Sequence, residues 1–186
     1  MTEDQWDIAA RNYRGKFGRM LVELSGSYDY ADTQSLTADK IAAEPMIFSG
    51  SAIRIGGTLR IKQLVVFEQS FTLVTTPHKI PGKLFLFCCE NTTDVVGTIN
   101  TTFDMGATLN WDDYAGVITI EDTDYTVVKK GSEKIAAAVI KNVDIDIQTY
   151  KSTRSLVGIF VTKDDMSTKS VHSGTKLYFK LCIQQD

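Results

Sequence analysis

The chain has 186 residues, 43% of them hydrophobic, with 20 basic and 23 acidic side chains and a net charge of −3. That length suits one domain, or one domain with an attached arm, and lets the fold bury most of its apolar surface. The near balance of charge argues against a nucleic-acid binder working through general positive charge, and the hydrophobic content argues against disorder. Thr, Ile and Val supply 51 of the 186 residues. Such side chains are stiff at the first torsion and suit pleated strands. With only 3 Pro and 13 Gly, this excess reads as ordered β structure.

The amino end, Met1 to Gln5, is acidic and polar, the reverse of a secretory signal. A short amphipathic helix is expected next. Thr2 and Gln5 have the spacing of a capping box, Glu3, Asp4 and Asp7 suit the positive end of the helix dipole, and Arg11 and Arg14 suit the negative end. Trp6, Ala10, Tyr13 and Phe17 fall at steps of four, three and four residues and form one apolar stripe. A helix this short is marginal alone in water, so the stripe is expected to dock, on this chain's own β domain or on a neighbour. Residues 1–44 are read as an N-terminal helix and anchoring arm, and 45–186 as the β domain.

Within the arm, Arg19 to Leu24 predicts a short strand and Ser25 to Gln34 a polar connection. Thr37 to Glu44 fits a short helix stopped by Pro45, or an extended segment, equally well. From Met46 the pattern is β nearly to the end. Alternation marks Ile53/Ile55 with Leu59/Ile61, then Val143/Ile145/Ile147, then Leu177/Phe179/Leu181/Ile183. Continuous apolar runs at Leu64–Phe67, Leu84–Cys89 and Leu156–Val161 predict strands buried on both faces. Turn residues separate these segments, as at Pro81-Gly82, Asp112-Asp113 and Ser173-Gly174. Ten or more strands without intervening helices predict a mainly β fold: an antiparallel, jelly-roll-like sandwich.

Groups that could do chemistry are scarce. The two histidines, His78 and His172, fall in predicted loops, and no nucleophile elbow, phosphate loop or dinucleotide fingerprint is present. Cys88 and Cys89 are adjacent and Cys182 is remote. An odd, unevenly spaced set predicts reduced thiols and no disulfide framework. Asp112-Asp113, Glu121-Asp122 with Asp124, and Asp164-Asp165 read as turn acids. Asp144 and Asp146 read as solvent-facing strand charges that deter unwanted pairing. No metal site, cofactor or catalytic residue is expected. Apolar runs of about six residues fall short of the roughly 20 that a spanning helix needs, so no membrane insertion is expected. Trp111, Asp112, Asp113 and Tyr114 combine rings with carboxylates in one predicted loop, the mixture a glycan-binding pocket uses.

The stretch Lys40 to Pro45 followed by Ser49 to Thr58, with its Gly50, Gly56 and Gly57, resembles β segments of phage fibre proteins. With the arm and the strand-rich domain, it resembles the accessory virion proteins of tailed bacteriophages, of head-fibre, decoration or tail-fibre type. The likeness is one of texture, covers about a tenth of the chain, and carries over no residue's role. It implies a non-enzymatic structural protein made in the host cytoplasm and carried in the virion. Its expected partners are copies of itself, a trimer being favoured, and other virion proteins contacted through Trp6, Ala10, Tyr13 and Phe17. The alternative is a lectin-like carbohydrate-binding module for host-surface glycans.

Overall fold

The computed structural model describes residues 20–48, 58–69, 79–89, 95, 97–104, 113–130, 133–148, 155–163, 171 and 173–185. Among them are nine strands: β1 (Met20–Asp29), β2 (Ile41–Phe48), β3 (Thr58–Gln69), β4 (Gly82–Phe87), β5 (Tyr114–Ile120), β6 (Tyr125–Lys130), β7 (Glu133–Gln148), β8 (Leu156–Thr162) and β9 (Lys176–Gln185). They form two antiparallel sheets, a five-stranded one in the order β1-β9-β3-β7-β6 and a four-stranded one in the order β2-β8-β4-β5. The protein is therefore mainly β, the class its composition predicts. The predicted N-terminal helix, with Trp6, Ala10, Tyr13 and Phe17, lies outside the described residues.

The pairings nest. β1 pairs with β9, β2 with β8, β3 with β7 and β4 with β5, so strands early in the chain find partners late in it. Two further pairings, β9 with β3 and β8 with β4, join these ribbons into sheets. One core holds the sheets together. Leu24, Leu59, Ile61, Leu64, Leu181 and Ile183 of the five-stranded sheet share a buried cluster with Met46, Phe48, Leu84, Leu86, Ile118 and Phe160 of the other. Phe160 and Phe179 meet across it, ring centroids 5.3 Å apart.

Period-two alternation places these residues. On β9, Leu177, Phe179, Leu181 and Ile183 are fully buried while Lys176, Tyr178 and Lys180 face outward, as the sequence predicts. The strand predicted over 19–24 continues to Asp29, because Gly26 and Tyr28 keep the inward phase while Ser25, Ser27 and Asp29 face solvent. Between Thr37 and Glu44 the chain is extended from Ile41 onward, and Pro45 lies inside β2. β2 is an edge strand whose register shifts between Ala43 and Met46, a position where a missing amide donor is tolerated.

The run Leu64–Phe67 departs from its reading. Leu64 and Val66 are buried, but Val65 and Phe67 on the opposite face are only half-buried, because no other described segment covers that side of the sheet. The run Leu156–Val161 is buried throughout, as predicted. No helix among the described residues is long and apolar enough to cross a membrane.

Candidate functional site

The four-stranded sheet is covered by its own chain. β4 ends at Phe87 and β5 begins at Tyr114, and part of the intervening segment lies on the sheet's outer face. Cys89 and Val95 join Ile41, Phe87, Val157, Ile159 and Val161 in a second buried cluster, with Phe85 and Phe103 packed against it. The segment is hydrogen-bonded to the start of β2: Ile41 N–H donates to the Thr101 carbonyl at 2.9 Å, and Asn100 N–H to the Ile41 carbonyl at 2.8 Å. The Glu44 carboxylate accepts the Ile99 N–H at 3.1 Å. A Cβ on Gly97 would lie 2.4 Å from Ile159 Cδ1, so the backbone there approaches more closely than a side chain at this position would allow without a shift.

At one end of this layer sits the described part of the predicted glycan loop. The Asp113 carbonyl accepts the Cys88 N–H at 2.7 Å. Tyr114 opens β5, 36% exposed, its ring 5.9 Å from that of buried Phe87. Phe87 in turn stands 6.4 Å from Phe103, and Phe103 4.8 Å from Phe85, so Tyr114 is the solvent-reaching end of an aromatic row. Trp111 and Asp112 lie outside the described residues, so Asp113 and Tyr114 alone of the predicted four are placed. Burial raises the Tyr114 hydroxyl above its ordinary pKa. Burial first, and the Asp113 charge second, push the Cys88 thiol up to about 11. A reactive thiol is shifted the other way. Cys88 packs into the inter-sheet core and Cys89 into the outer cluster, the opposite orientations expected of neighbouring residues.

Buried tyrosines line the interior. The Tyr30 hydroxyl donates to the Ala42 carbonyl, and the Tyr125 hydroxyl to the Ile80 carbonyl at 2.8 Å. Burial is the main cause that raises both phenols, with the charge of buried Glu68 adding to it. These groups are held neutral and bonded to backbone, which locks the sheets in place.

The acids of the turn after β5 act locally. The Asp124 carboxylate accepts the Glu121 N–H at 2.8 Å, and Lys163 binds the Glu121 carboxylate at 2.6 Å. Among the described residues no group of three or more His, Cys, Asp or Glu is arranged to hold a metal ion.

The outer face of the five-stranded sheet is different. Register places Ser27, Tyr178, Phe67, Ala137 and Thr126 in one row across all five strands. The next row toward the β9 C-terminus runs Ser25, Lys180, Val65 and Val139. Val139 is 43% and Val128 48% exposed. Around this apolar centre most charges are paired, and exposed Lys141, opposite Gln63, adds a further positive charge. Lys180 binds Glu23 at 2.8 Å and Lys176 binds Asp29 at 2.6 Å on the β1 side. Toward the other edge Arg60 grips Asp146 with two nitrogens, and Lys62 binds Asp144 at 2.5 Å. The Arg60 hydrogen bond holds the Asp146 carboxyl below its usual range, and the Asp29 hydrogen bond raises Lys176.

The predicted solvent-facing Asp144 and Asp146 thus lie on this face, at a bulge. Three β7 residues, Asn142 to Asp144, stand opposite Lys62 alone, with Asn142 and Asp144 left-handed at φ 55° and 47°. The sequence reading missed the apolar centre. Its signal was present: Leu64–Phe67 and Ile135–Ile140 are apolar on both faces, and an outward face of that kind needs a cover.

A scan of known protein families finds no match to this chain, and a search of curated proteins finds none either.

Proposed function

We propose that this protein is a non-enzymatic structural component of a virion, of the head- or tail-associated kind found in tailed bacteriophages. In this reading it is made in the host cytoplasm, forms a homo-oligomer, and docks on other virion proteins through Trp6, Ala10, Tyr13 and Phe17. The observation that carries it is the strand order. Leaving aside β6, the sheets β1-β9-β3-β7 and β2-β8-β4-β5 have the nested pairing of a jelly-roll sandwich, an architecture used by viral capsid and lectin domains. Fold does not assign function by itself. The open sheet face supports assembly over catalysis. Capsid, portal or tail genes beside its own gene are the expected setting.

The test is solution mass with and without residues 1–18. The full chain is expected to run as a multiple of 20.7 kDa, and the truncated chain to lose mass or stability. A strict monomer that keeps all its stability after truncation overturns the reading.

Tyr114, exposed beside Asp113 at the end of the aromatic row, supports a second reading: a lectin-like module for host-surface glycans. Sugars stack on exposed rings and hydrogen-bond to neighbouring carboxylates. Retention of specific glycans on an array, lost on Tyr114→Ala, supports it. A blank array with and without Ca²⁺ overturns it.

A further inference from the structure

We infer that the outer face of the five-stranded sheet, centred on Val65, Phe67, Val128, Ala137 and Val139, is the surface through which copies of this chain meet. The inference rests on the oligomeric reading above and adds to it the place of contact.

Three features of the face select a second copy as its occupant. The first is charge. Lys180–Glu23, Lys176–Asp29, Arg60–Asp146 and Lys62–Asp144 are each satisfied within the sheet. Exposed Lys141 adds one positive charge to the same face, too little to repel a copy strongly, whereas a nucleic acid or a strongly charged polypeptide finds no block of opposite sign on it.

The second is area. Five strands about 4.8 Å apart, with about nine residues at about 3.3 Å each along the central ones, give a face of roughly 20 by 30 Å, about 600 Å² when flat. Side-chain relief brings that close to the ~800 Å² per partner of a standard stable interface. The third is layout. Apolar side chains occupy the centre and ion pairs the flanks, the arrangement of an interface core with a polar rim. Small Ser25, Ser27 and Ala137 keep the surface low between the larger groups, so a second sheet can approach to the usual ~10 Å.

Cys182 provides a built-in reporter. It faces outward on β9 between Glu23 and Gln63, within this surface, and is partly exposed while Cys88 and Cys89 are buried. A copy seated on the face covers it.

The experiment uses the full chain, with Val139→Asp and Val128→Asp as separate variants. Both positions are nearly half exposed, so both variants are expected to keep the native circular-dichroism spectrum. Light scattering is expected to give a multiple of 20.7 kDa for the unaltered chain and the single-chain mass for each variant. Labelling of Cys182 by a thiol reagent is expected to slow as the unaltered protein is concentrated, and to be independent of concentration in the variants. An oligomer whose mass survives both substitutions, with Cys182 labelled equally fast at every concentration, overturns the assignment of this face and leaves the oligomeric reading standing. An unaltered chain that is monomeric at every concentration overturns both.

Discussion

On the four-stranded sheet, outward-facing Val157, Ile159 and Val161 of β8 are buried under Cys89, Val95 and Phe103. On the five-stranded sheet, outward-facing Val65 and Phe67 are half-buried and Val139 is 43% exposed. The two faces are drawn from similar residues, and chain connection separates them. The described part of the connection from β4 to β5 folds back over the first face. On the second, no described segment plays that part. A continuous apolar run therefore marks a strand that will be covered on both sides, without saying whether its own chain or another supplies the cover.

Substitutions that remove the cover or its contacts test this contrast most strongly. Phe87→Ala, within the covered layer, is expected to cost about 3–5 kcal/mol in urea unfolding, the range for a large buried aromatic. Val139→Ala on the open face is expected to stay within about 0.5 kcal/mol when the protein is dilute. Equal losses at the two positions would erase the distinction.

Gly97→Ala comes next. Its Cβ would press on Ile159 Cδ1 at 2.4 Å and Ile41 Cδ1 at 2.8 Å, so these side-chain ends must turn aside or the covering segment must lift. The expected loss is about 1–3 kcal/mol, accompanied by thiol labelling of Cys89 in a Cys182→Ser background. A Cys89 that stays unreactive would mean that the segment tolerates the methyl without lifting.

A smaller effect is expected at alkaline pH. The folded chain keeps the Tyr30 and Tyr125 phenols protonated above the ordinary value of 10.0, where the unfolded chain releases those protons. Their contribution is complete below about pH 10 and is lost as pH rises past it. Tyr125→Phe is expected to cost about 0.5–1.5 kcal/mol at neutral pH for the lost hydrogen bond and to weaken the alkaline decline. A decline of unchanged steepness would assign it to other groups. The smallest effect belongs to the flanks of the open face. Replacing Arg60 and Asp146 together by Gln and Asn is expected to leave the urea midpoint nearly unchanged in physiological salt, because exposed pairs contribute little.

Much of the fold was legible in the sequence. Alternation located β9 and the second half of β7, and the unbroken run of β8 foretold its double burial. The second half of β1 was hidden, because Gly26 carries no side chain to register an inward phase and its outward neighbours are serines. The strand order was hidden for a different reason: pairing β1 with β9 joins residues more than 140 apart, and local pattern carries no information about such contacts. Of the predicted sites, Asp113 and Tyr114 are placed at the end of the covered layer. The open face was missed because it draws on β3, β6 and β7, which become neighbours only once the sheet forms.

The most direct measurement is the urea midpoint at two protein concentrations about a hundredfold apart. An oligomer is stabilised by mass action, a monomer is not. The midpoint of the unaltered chain is predicted to rise with concentration, and that of Val139→Asp to stay fixed. A midpoint that does not move for the unaltered chain, or moves equally for both, would contradict a partner-covered five-stranded sheet.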